Sequence, residues 1–254
     1  MAMRKIAIAN QKGGVGKTTT ALNLVAALAE RGRRALLIDV DPQSSLTLAL
    51  GLKPGDLSLT ITDVLLGERV ITDAIMITDA GPDLIPSNFV LSGAAIELTK
   101  EPLGAFALKD ALTKLPRDYD YVILDCPPNL GVLTLGVLLA ADQVLIPLQA
   151  DYLAMKGVNL LLQTIEKVQR RANPGLTILG ILLTMADRRT RHARDMIRET
   201  RRVLKGKLNV FETVIRMNVR LKEAAMAGRS IFDFAPESYG AKDYRALAEE
   251  VDAP

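Results

Sequence analysis

The sequence contains very little cysteine, and it has no apolar run long enough to cross a membrane. Its single cysteine, Cys126, excludes a framework of disulfides within the chain. The chain does not open with a positively charged segment followed by a long apolar one, so we expect neither a signal peptide nor a membrane span. Together these absences predict a soluble, cytoplasmic protein.

The composition is that of a folded globular chain. Of its 254 residues, 49% are apolar, and no stretch is of low complexity. Strand-like and helix-like runs alternate without an evident linker, which is typical of βαβ units. We therefore predict one domain over residues 1–254 with an α/β fold, in which a doubly wound, mainly parallel sheet carries helices on both faces.

Apolar patterning locates the elements along the chain. The expected strands cover residues 5–9, 34–41, 83–86, 119–125, 142–147, 176–184 and 210–215. The expected helices cover residues 19–29, 44–50, 60–66, 89–100, 103–115, a stretch ending near 171, 190–204 and 241–251.

A glycine-rich stretch lies between the first strand and the first helix. Glycines allow backbone N–H groups to point inward as a nest for anionic oxygens, and the helix N-terminus adds its own unpaired N–H groups. This arrangement predicts a phosphate-binding loop. The loop consists of Gly13, Gly14, Val15, Gly16, Lys17, Thr18 and Thr19.

The loop also predicts chemistry for individual side chains. Lys17 can reach the β- and γ-phosphates of a nucleotide, and the Thr18 hydroxyl can ligate Mg²⁺. In the usual spacing a glycine would occupy position 11, but this chain has Gln11 there and a second lysine, Lys12, at the next position. The alternative is a glycine-rich turn with solvated lysines, which the spacing, the flanking elements and the threonine disfavour.

Carboxylates follow two of the predicted strands. Asp39 and Asp41 end the second strand, at the edge where open α/β sheets bind ligands. The alternative is that both acids cap the next helix, since Pro42 favours a turn. Asp125 ends another apolar strand, which is the Walker B pattern, and it can accept a hydrogen bond from Mg²⁺-bound water beside Thr18.

Positive charge is concentrated in one segment. The formal net charge of the chain is +3, yet residues 186–222 contain twelve Lys or Arg and four acids, which gives +8 there and −5 elsewhere. Such asymmetry indicates a polyanion as partner. The alternative is a solvated helix face, since five of the arginines fall on one side of a predicted helix. These are Arg191, Arg194, Arg198, Arg201 and Arg202.

Six stretches resemble the motifs of ParA-type partition ATPases, which belong to the ParA/MinD superfamily of deviant Walker A ATPases. The similarity is greatest to the small chromosomal subgroup called Soj. The stretches are residues 10–20, 39–43, 124–128, 147–150, 187–190 and 218–221. The resemblance covers almost the whole chain.

The resemblance implies ATP and Mg²⁺ as cofactors and an ATP-dependent homodimer that binds nonspecific double-stranded DNA on the nucleoid. It implies that a ParB-type centromere-binding protein stimulates hydrolysis. Lys17, Thr18 and Asp125 would handle phosphate and Mg²⁺, with Asp39 supporting the metal shell. Asp41 would position the attacking water.

The resemblance implies two further roles, and the charge of the basic segment predicts a third, DNA binding. Lys12 would reach the phosphates of the partner subunit, so that the catalytic residues are Lys12, Asp41 and Lys17. Met217 and Asn218 would lie beside the adenine. The DNA-binding residues would be Arg188, Arg189, Arg191, Arg194 and Arg220. Phe211 is the only aromatic residue in the basic segment, so stacking on single strands is not expected.

The chain departs from the family pattern at the loop expected beside the adenine. The family usually has Pro-Arg-Asn where this chain has Arg216-Met217-Asn218, and Ser-Glu-Ala-Pro where it has residues 222–225, Lys-Glu-Ala-Ala. Asp151 also replaces a glutamate.

Three other functions are weighed against partition. A MinD-like membrane ATPase needs a basic amphipathic C-terminal helix, whereas residues 246–252 are acidic. An iron–sulfur electron-transfer ATPase needs two thiolates per subunit for a bridging cluster, and one cysteine cannot supply them. The third alternative is a nucleotide-gated DNA-coating scaffold with negligible turnover. An ATPase assay with ParB and DNA would distinguish it from a partition ATPase.

Overall fold

The protein is built on a seven-stranded sheet in which every pairing between strands is parallel. The computed structural model describes residues 3–78, 82–116, 118–149, 154–187 and 189–253, without the side chains of residues 154–157 and 192. The strands are β1 (Arg4–Ile8), β2 (Ala35–Asp39), β3 (Asp83–Ile85), β4 (Tyr121–Asp125), β5 (Gln143–Gln149), β6 (Thr177–Ala186) and β7 (Val210–Arg216).

Helices connect the strands. Those in the described ranges are α1 (Lys17–Glu30), α2 (Ser45–Ala49), α3 (Ile61–Leu65), α4 (Leu91–Lys100), α5 (Ala107–Leu112), α6 (Val132–Ala140), α7 (Ala154–Arg171), α8 (Arg191–Leu204), α9 (Val219–Met226), α10 (Ile231–Phe234) and α11 (Tyr239–Asp252). None of these helices is long and apolar enough to span a membrane.

The strand order creates a crevice at one edge of the sheet. The order is β3-β2-β4-β1-β5-β6-β7. The chain leaves β1 for the half of the sheet that contains β2 and β3, whereas it leaves β4 for the half that contains β5, β6 and β7. The connections after two neighbouring strands therefore run in opposite directions, which is where such sheets bind ligands. The predicted doubly wound, parallel fold is confirmed.

The sheet is buried on both faces. Alternate residues of β1 and β2, such as Ala7 and Ile38, pack into a core with α3 to α8. The residues between them, such as Ile6 and Leu37, pack into a second core with α1, α2, α9, α10 and α11. Because both faces are covered, the strands are continuous apolar runs rather than alternating ones. The single domain over residues 1–254 stays a prediction.

One predicted helix needs correction, and a helix of the structure was not predicted. The helix expected over residues 103–115 is instead a 3₁₀ turn, Gly104–Phe106, followed by the short helix α5. A Cβ on Gly104 would lie 2.1 Å from the carbonyl oxygen of Leu98, so the chain approaches α4 too closely for a side chain there. Helix α6 was not predicted, because it is apolar on nearly all sides and shows no 3.6-residue period.

Candidate functional site

The phosphate-binding loop follows β1 and is held in shape by neighbouring strands. Gly14 and Gly16 have φ angles of 71° and 88°, a region that favours glycine. The buried Thr184 hydroxyl at the end of β6 donates to the Val15 carbonyl at 2.9 Å. On the other side, the Asn10 amide donates to the Pro147 carbonyl at 2.7 Å. The nest is therefore fixed by side chains from outside the motif.

Lys17 lies inside this loop. Lys17 is only 7% exposed, and its Nζ donates to the Lys12 carbonyl at 3.4 Å. The ammonium group is thus held within the nest, where the phosphates of a nucleotide would accept its hydrogen bonds. Lys12 lies at the mouth of the loop, and its Nζ donates instead to the Gln149 side-chain oxygen at 3.3 Å.

A cation site adjoins the loop. The Thr18 hydroxyl donates to Asp125 Oδ2 at 2.7 Å, while Asp125 Oδ1 is buried and has no hydrogen-bond partner. Burial raises the pKa of this carboxyl well above its ordinary value, with the neighbouring Asp39 carboxylate adding to the effect. An orphaned buried carboxylate oxygen beside a hydroxyl is an arrangement that a hard divalent cation satisfies.

The oxygen ligands here suit Mg²⁺ bound together with phosphates, and not a metal ion held by protein side chains alone. Within the described ranges, no three His, Cys, Asp or Glu side chains are grouped to hold an ion. Mg²⁺ is commonly held by one or two protein oxygens together with phosphates and water. Thr18 and Asp125 are the residues that would hold it here, and when bound it would neutralise charge on the β- and γ-phosphates.

An Asp125→Asn substitution is expected to weaken Mg²⁺ binding in the presence of ATP by about ten- to a hundredfold. The amide can still accept the hydrogen bond from Thr18, so the change removes charge with little change in shape. Mg²⁺ titration of a fluorescent ATP analogue would measure the effect, with Asp110→Asn on α5 as the control. An unchanged Mg²⁺ dependence would contradict this assignment.

The two aspartates of β2 lie in the same crevice but make different contacts. Asp39 pairs in register with Asp125 on β4 and is fully buried. It accepts from the Thr47 hydroxyl at 2.7 Å and from the Thr47 and Asp41 N–H groups at 2.9 and 3.1 Å. Burial raises its pKa to about 6. Both carboxylate oxygens of Asp39 therefore bond to the loop that follows β2 and to α2. The role of Asp39 in the metal shell stays a prediction.

Asp41 is the acid that lies closest to the surface of the crevice. It is 6% exposed, and its Oδ1 accepts from the Gln43 N–H at 2.9 Å. Asp41 therefore holds the turn before α2 and does not cap the helix, whose N-cap is Ser44. The capping alternative applies only to Asp39, which accepts from the Thr47 N–H in the first turn of α2.

A largely apolar cavity of about 480 Å³ opens beside the loop, between the ends of β6 and β7. Gly16 and Thr19 form its wall on the loop side. Its apolar lining includes Met185, Ile215, Met217, Val219, Leu221 and Tyr244. A flat base attached to phosphates in the nest would enter this cavity.

The residues expected beside the adenine do lie at this cavity. Met217 is largely exposed, whereas Asn218 uses its Oδ1 to accept from the Arg220 N–H and so caps α9. Arg216, where the family has proline, donates from Nε and Nη2 to the Asp243 carboxylate and stacks on Tyr239 at 4.2 Å from the ring centroid. The departure from the family pattern therefore ties the loop to α11.

The predicted DNA-binding arginines occupy separate positions. Arg191 and Arg194 line a cleft of about 640 Å³ along α8. Arg189 is strongly exposed and pairs with Asp187, while Arg220 on α9 pairs with Glu223. Arg188 lies outside the described residues. Of the four predicted arginines that the structure describes, Arg191 and Arg194 lie together in one cleft.

Sequence patterning missed several residues that shape the site. Thr184, Asn10 and Ser87 are buried polar residues near the ends of strands, and the buried Thr47 lies within α2; their hydroxyl and amide groups hold the loops. Met185 adopts a φ of 55°, unusual for a residue other than glycine, and lines the apolar cavity beside the phosphate-binding loop. For Thr184, Asn10 and Ser87, the position of a polar residue next to a strand end is the one available sequence signal.

The fold and this site define a P-loop ATPase. A family model described as an AAA domain matches residues 3–178. The chain is 45% identical to the sporulation initiation inhibitor protein Soj of Bacillus subtilis, over 98% of each chain. It is 45% identical to the chromosome partitioning protein ParA of Myxococcus xanthus, over 98% of this chain and 87% of that one.

Solved structures of similar chains contain an adenine nucleotide and magnesium. A cobyrinic acid a,c-diamide synthase of Mycobacterium smegmatis with bound ADP and magnesium is 43% identical, with a TM-score of 0.86 over 97% of this chain and 93% of that one. The same protein has been solved with an ATP analogue and magnesium. The chain belongs to the Soj/ParA family of partition ATPases, and the prediction of ATP and Mg²⁺ as its cofactors is confirmed.

Proposed function

We propose that this partition ATPase works as an ATP-dependent homodimer that binds DNA without sequence preference and is reset by a ParB-type partner. The observation that carries the dimer is the position of Lys12. Its ammonium group lies outside its own nest, on Gln149, while Lys17 fills the nest alone. In a dimer whose subunits face each other across the crevice, Lys12 of one subunit would reach the γ-phosphate of the nucleotide bound by the other.

The chemistry assigned to the site is positioning and charge neutralisation. Phosphoryl transfer needs little covalent help from the protein, so the main requirements are an aligned water and cations around the phosphates. Lys17 holds the β- and γ-phosphates, Asp41 aligns the attacking water, and Lys12 of the other subunit neutralises charge that develops during transfer. Hydrolysis thus requires the dimer.

DNA binding is assigned to the basic segment. The charge of +8 within residues 186–222 is opposed by −5 over the rest of the chain. Arg189 and Arg220 are exposed and paired only with single surface acids, so phosphates can replace those partners at little energetic penalty. Two copies in one dimer double the basic surface, which raises the affinity for DNA when ATP is bound. Association with the nucleoid follows from this binding.

DNA affinity is expected to fall steeply with salt, with a log–log slope near −0.9 for each phosphate neutralised. An Arg189/Arg220→Glu double variant should lose duplex binding and keep ATP-driven dimerisation. The control is Arg34/Arg170→Glu, which makes the same charge change at two exposed, ion-paired arginines outside the segment. Fluorescence anisotropy with unrelated duplexes and size-exclusion chromatography would measure the two properties. Strong preference for one sequence, or full binding by the Arg189/Arg220 variant, would contradict the assignment.

The amide synthesis named for the Mycobacterium smegmatis structure is the less favoured function for this chain. A glutamine-dependent amide synthase uses a nucleophilic thiolate, which must be accessible and easily ionised. Cys126 is the only cysteine, it is 1% exposed, and burial raises the pKa of its thiol. A glutaminase assay on the purified chain would separate the two functions.

A further inference from the structure

The loop that carries Asp41 rests on a buried network of hydroxyl groups. It runs from the end of β2 to the start of α2, and Ser44 within it has a φ of 54° while only 2% exposed. A non-glycine residue in this conformation is maintained only when its surroundings fix it. Ser44 donates its N–H to the Asp41 carbonyl at 2.8 Å, and two side chains outside the conspicuous motifs, Thr47 and Ser87, hold Asp39 and Asp41.

Thr47 connects this loop to β2. Its hydroxyl donates to Asp39 Oδ2 at 2.7 Å, and its N–H donates to the same oxygen at 2.9 Å. The same hydroxyl accepts from the Ser87 N–H at 3.0 Å. Thr47 and Ser87 are both fully buried, so both hydrogen bonds of the Thr47 hydroxyl are shielded from water.

Ser87 completes the network at Asp41. Its hydroxyl donates to the Asp41 carbonyl at 2.9 Å, while the Asp41 N–H donates to Asp39 Oδ1 at 3.1 Å. Both main-chain groups of Asp41 are therefore held, the N–H by Asp39 and the carbonyl by the Ser87 hydroxyl together with the Ser44 N–H. Thr47 joins these two supports, so the four residues form a closed ring of hydrogen bonds.

The ring is anchored to the scaffold beyond β3. The carbonyl of Pro86, which precedes Ser87, accepts from the Ile61 N–H at the start of α3 with a distance of 2.8 Å. Ser87 is thus fixed from its N-terminal side by a helix that packs in the core. The direction in which the Asp41 side chain leaves its loop depends on the β3 loop as well as on its own strand.

We propose that Thr47 and Ser87 are positioning residues for ATP hydrolysis, which hold Asp41 where it aligns the attacking water. This inference rests on the role of Asp41 given under Proposed function. Neither hydroxyl hydrogen-bonds to the phosphate-binding loop. The Thr47 hydroxyl bonds to Asp39 and to the Ser87 N–H, and the Ser87 hydroxyl bonds to the Asp41 carbonyl. Their effect is therefore on turnover rather than on nucleotide affinity.

Thr47→Val and Ser87→Ala should each lower kcat for ATP by about ten- to a hundredfold, since small misplacement of a catalytic group has effects of this size. KM for ATP and the affinity for an ATP analogue should stay close to the wild-type values. Thr47→Ser keeps the hydroxyl and should restore turnover. Thr200→Val, at a buried threonine of α8, is the control, and thermal unfolding reports folding of each variant.

The outcomes separate this inference from the role of Asp41. Wild-type turnover by Thr47→Val and Ser87→Ala, with an inactive Asp41→Ala protein, would overturn the positioning role alone. Wild-type turnover by Asp41→Ala would overturn the proposed role of Asp41 itself. Equal loss of turnover and nucleotide affinity, or no rescue by Thr47→Ser, would also overturn the positioning role. If Thr47→Val does not fold, Ser87→Ala decides, because it removes a single hydrogen bond.

Discussion

A Lys12→Ala variant is expected to bind ATP and Mg²⁺ normally and to lose about 10³-fold in stimulated hydrolysis, the lower end of the effect of a cation supplied by a second subunit. Binding survives because Lys17, and not Lys12, occupies the nest of its own subunit. A fluorescent ATP analogue would measure affinity, and phosphate release with DNA and a ParB-type partner would measure turnover. Lys53→Ala, at an exposed lysine remote from the loop, is the control.

Mixing experiments test whether Lys12 acts in the other subunit. In a dimer of Lys12→Ala with Asp41→Ala, one site has its own Asp41 and receives Lys12 from its partner. That site is complete, so the mixture should hydrolyse ATP although each variant alone does not. No activity in the mixture would contradict action across the dimer.

An Asp41→Ala variant is expected to lose about 10²- to 10⁴-fold in turnover, the range associated with loss of a group that aligns or deprotonates a nucleophile. ATP binding should be retained, because the side chain of Asp41 hydrogen-bonds to its own turn and is not part of the phosphate nest. An ATP-bound dimer should accumulate on size-exclusion chromatography. Asp56→Ala, at an exposed acid outside the site, is the control, and wild-type turnover by Asp41→Ala would be incompatible with its role.

The parts of the site that depend on local chain geometry were predictable from sequence. The loop requires glycines with positive φ at Gly14 and Gly16, and that requirement is visible in the order of residues. Asp39 and Asp125 end apolar runs, and parallel pairing places both at one edge of the sheet. These features follow from the chain itself, without knowledge of which distant segments meet.

The supports of the site could not be predicted in this way. Thr184 holds Val15 from 169 residues away, and Ser87 holds Asp41 from 46 residues away. A serine or threonine after a strand carries no periodic signal, and its partner is set by strand order alone. The pairing of Arg216 with Asp243 was equally invisible, because nothing in the residues near Arg216 indicates that α11 packs against it.

The end of β6 connects the nucleotide-binding loop with the segment proposed to bind DNA. Thr184 is bonded to the phosphate-binding loop, and Asp187, the first residue after the strand, holds Arg189 of the basic segment. A nucleotide in the loop and a duplex bound as proposed would therefore act on opposite ends of the same four residues, 184–187. Coupling between two binding equilibria is reciprocal, so any factor by which ATP raises the affinity for DNA is also the factor by which DNA raises the affinity for ATP. Under the proposed function, the nucleoid would then act as an effector that retains ATP on the protein, as well as the surface to which the protein binds.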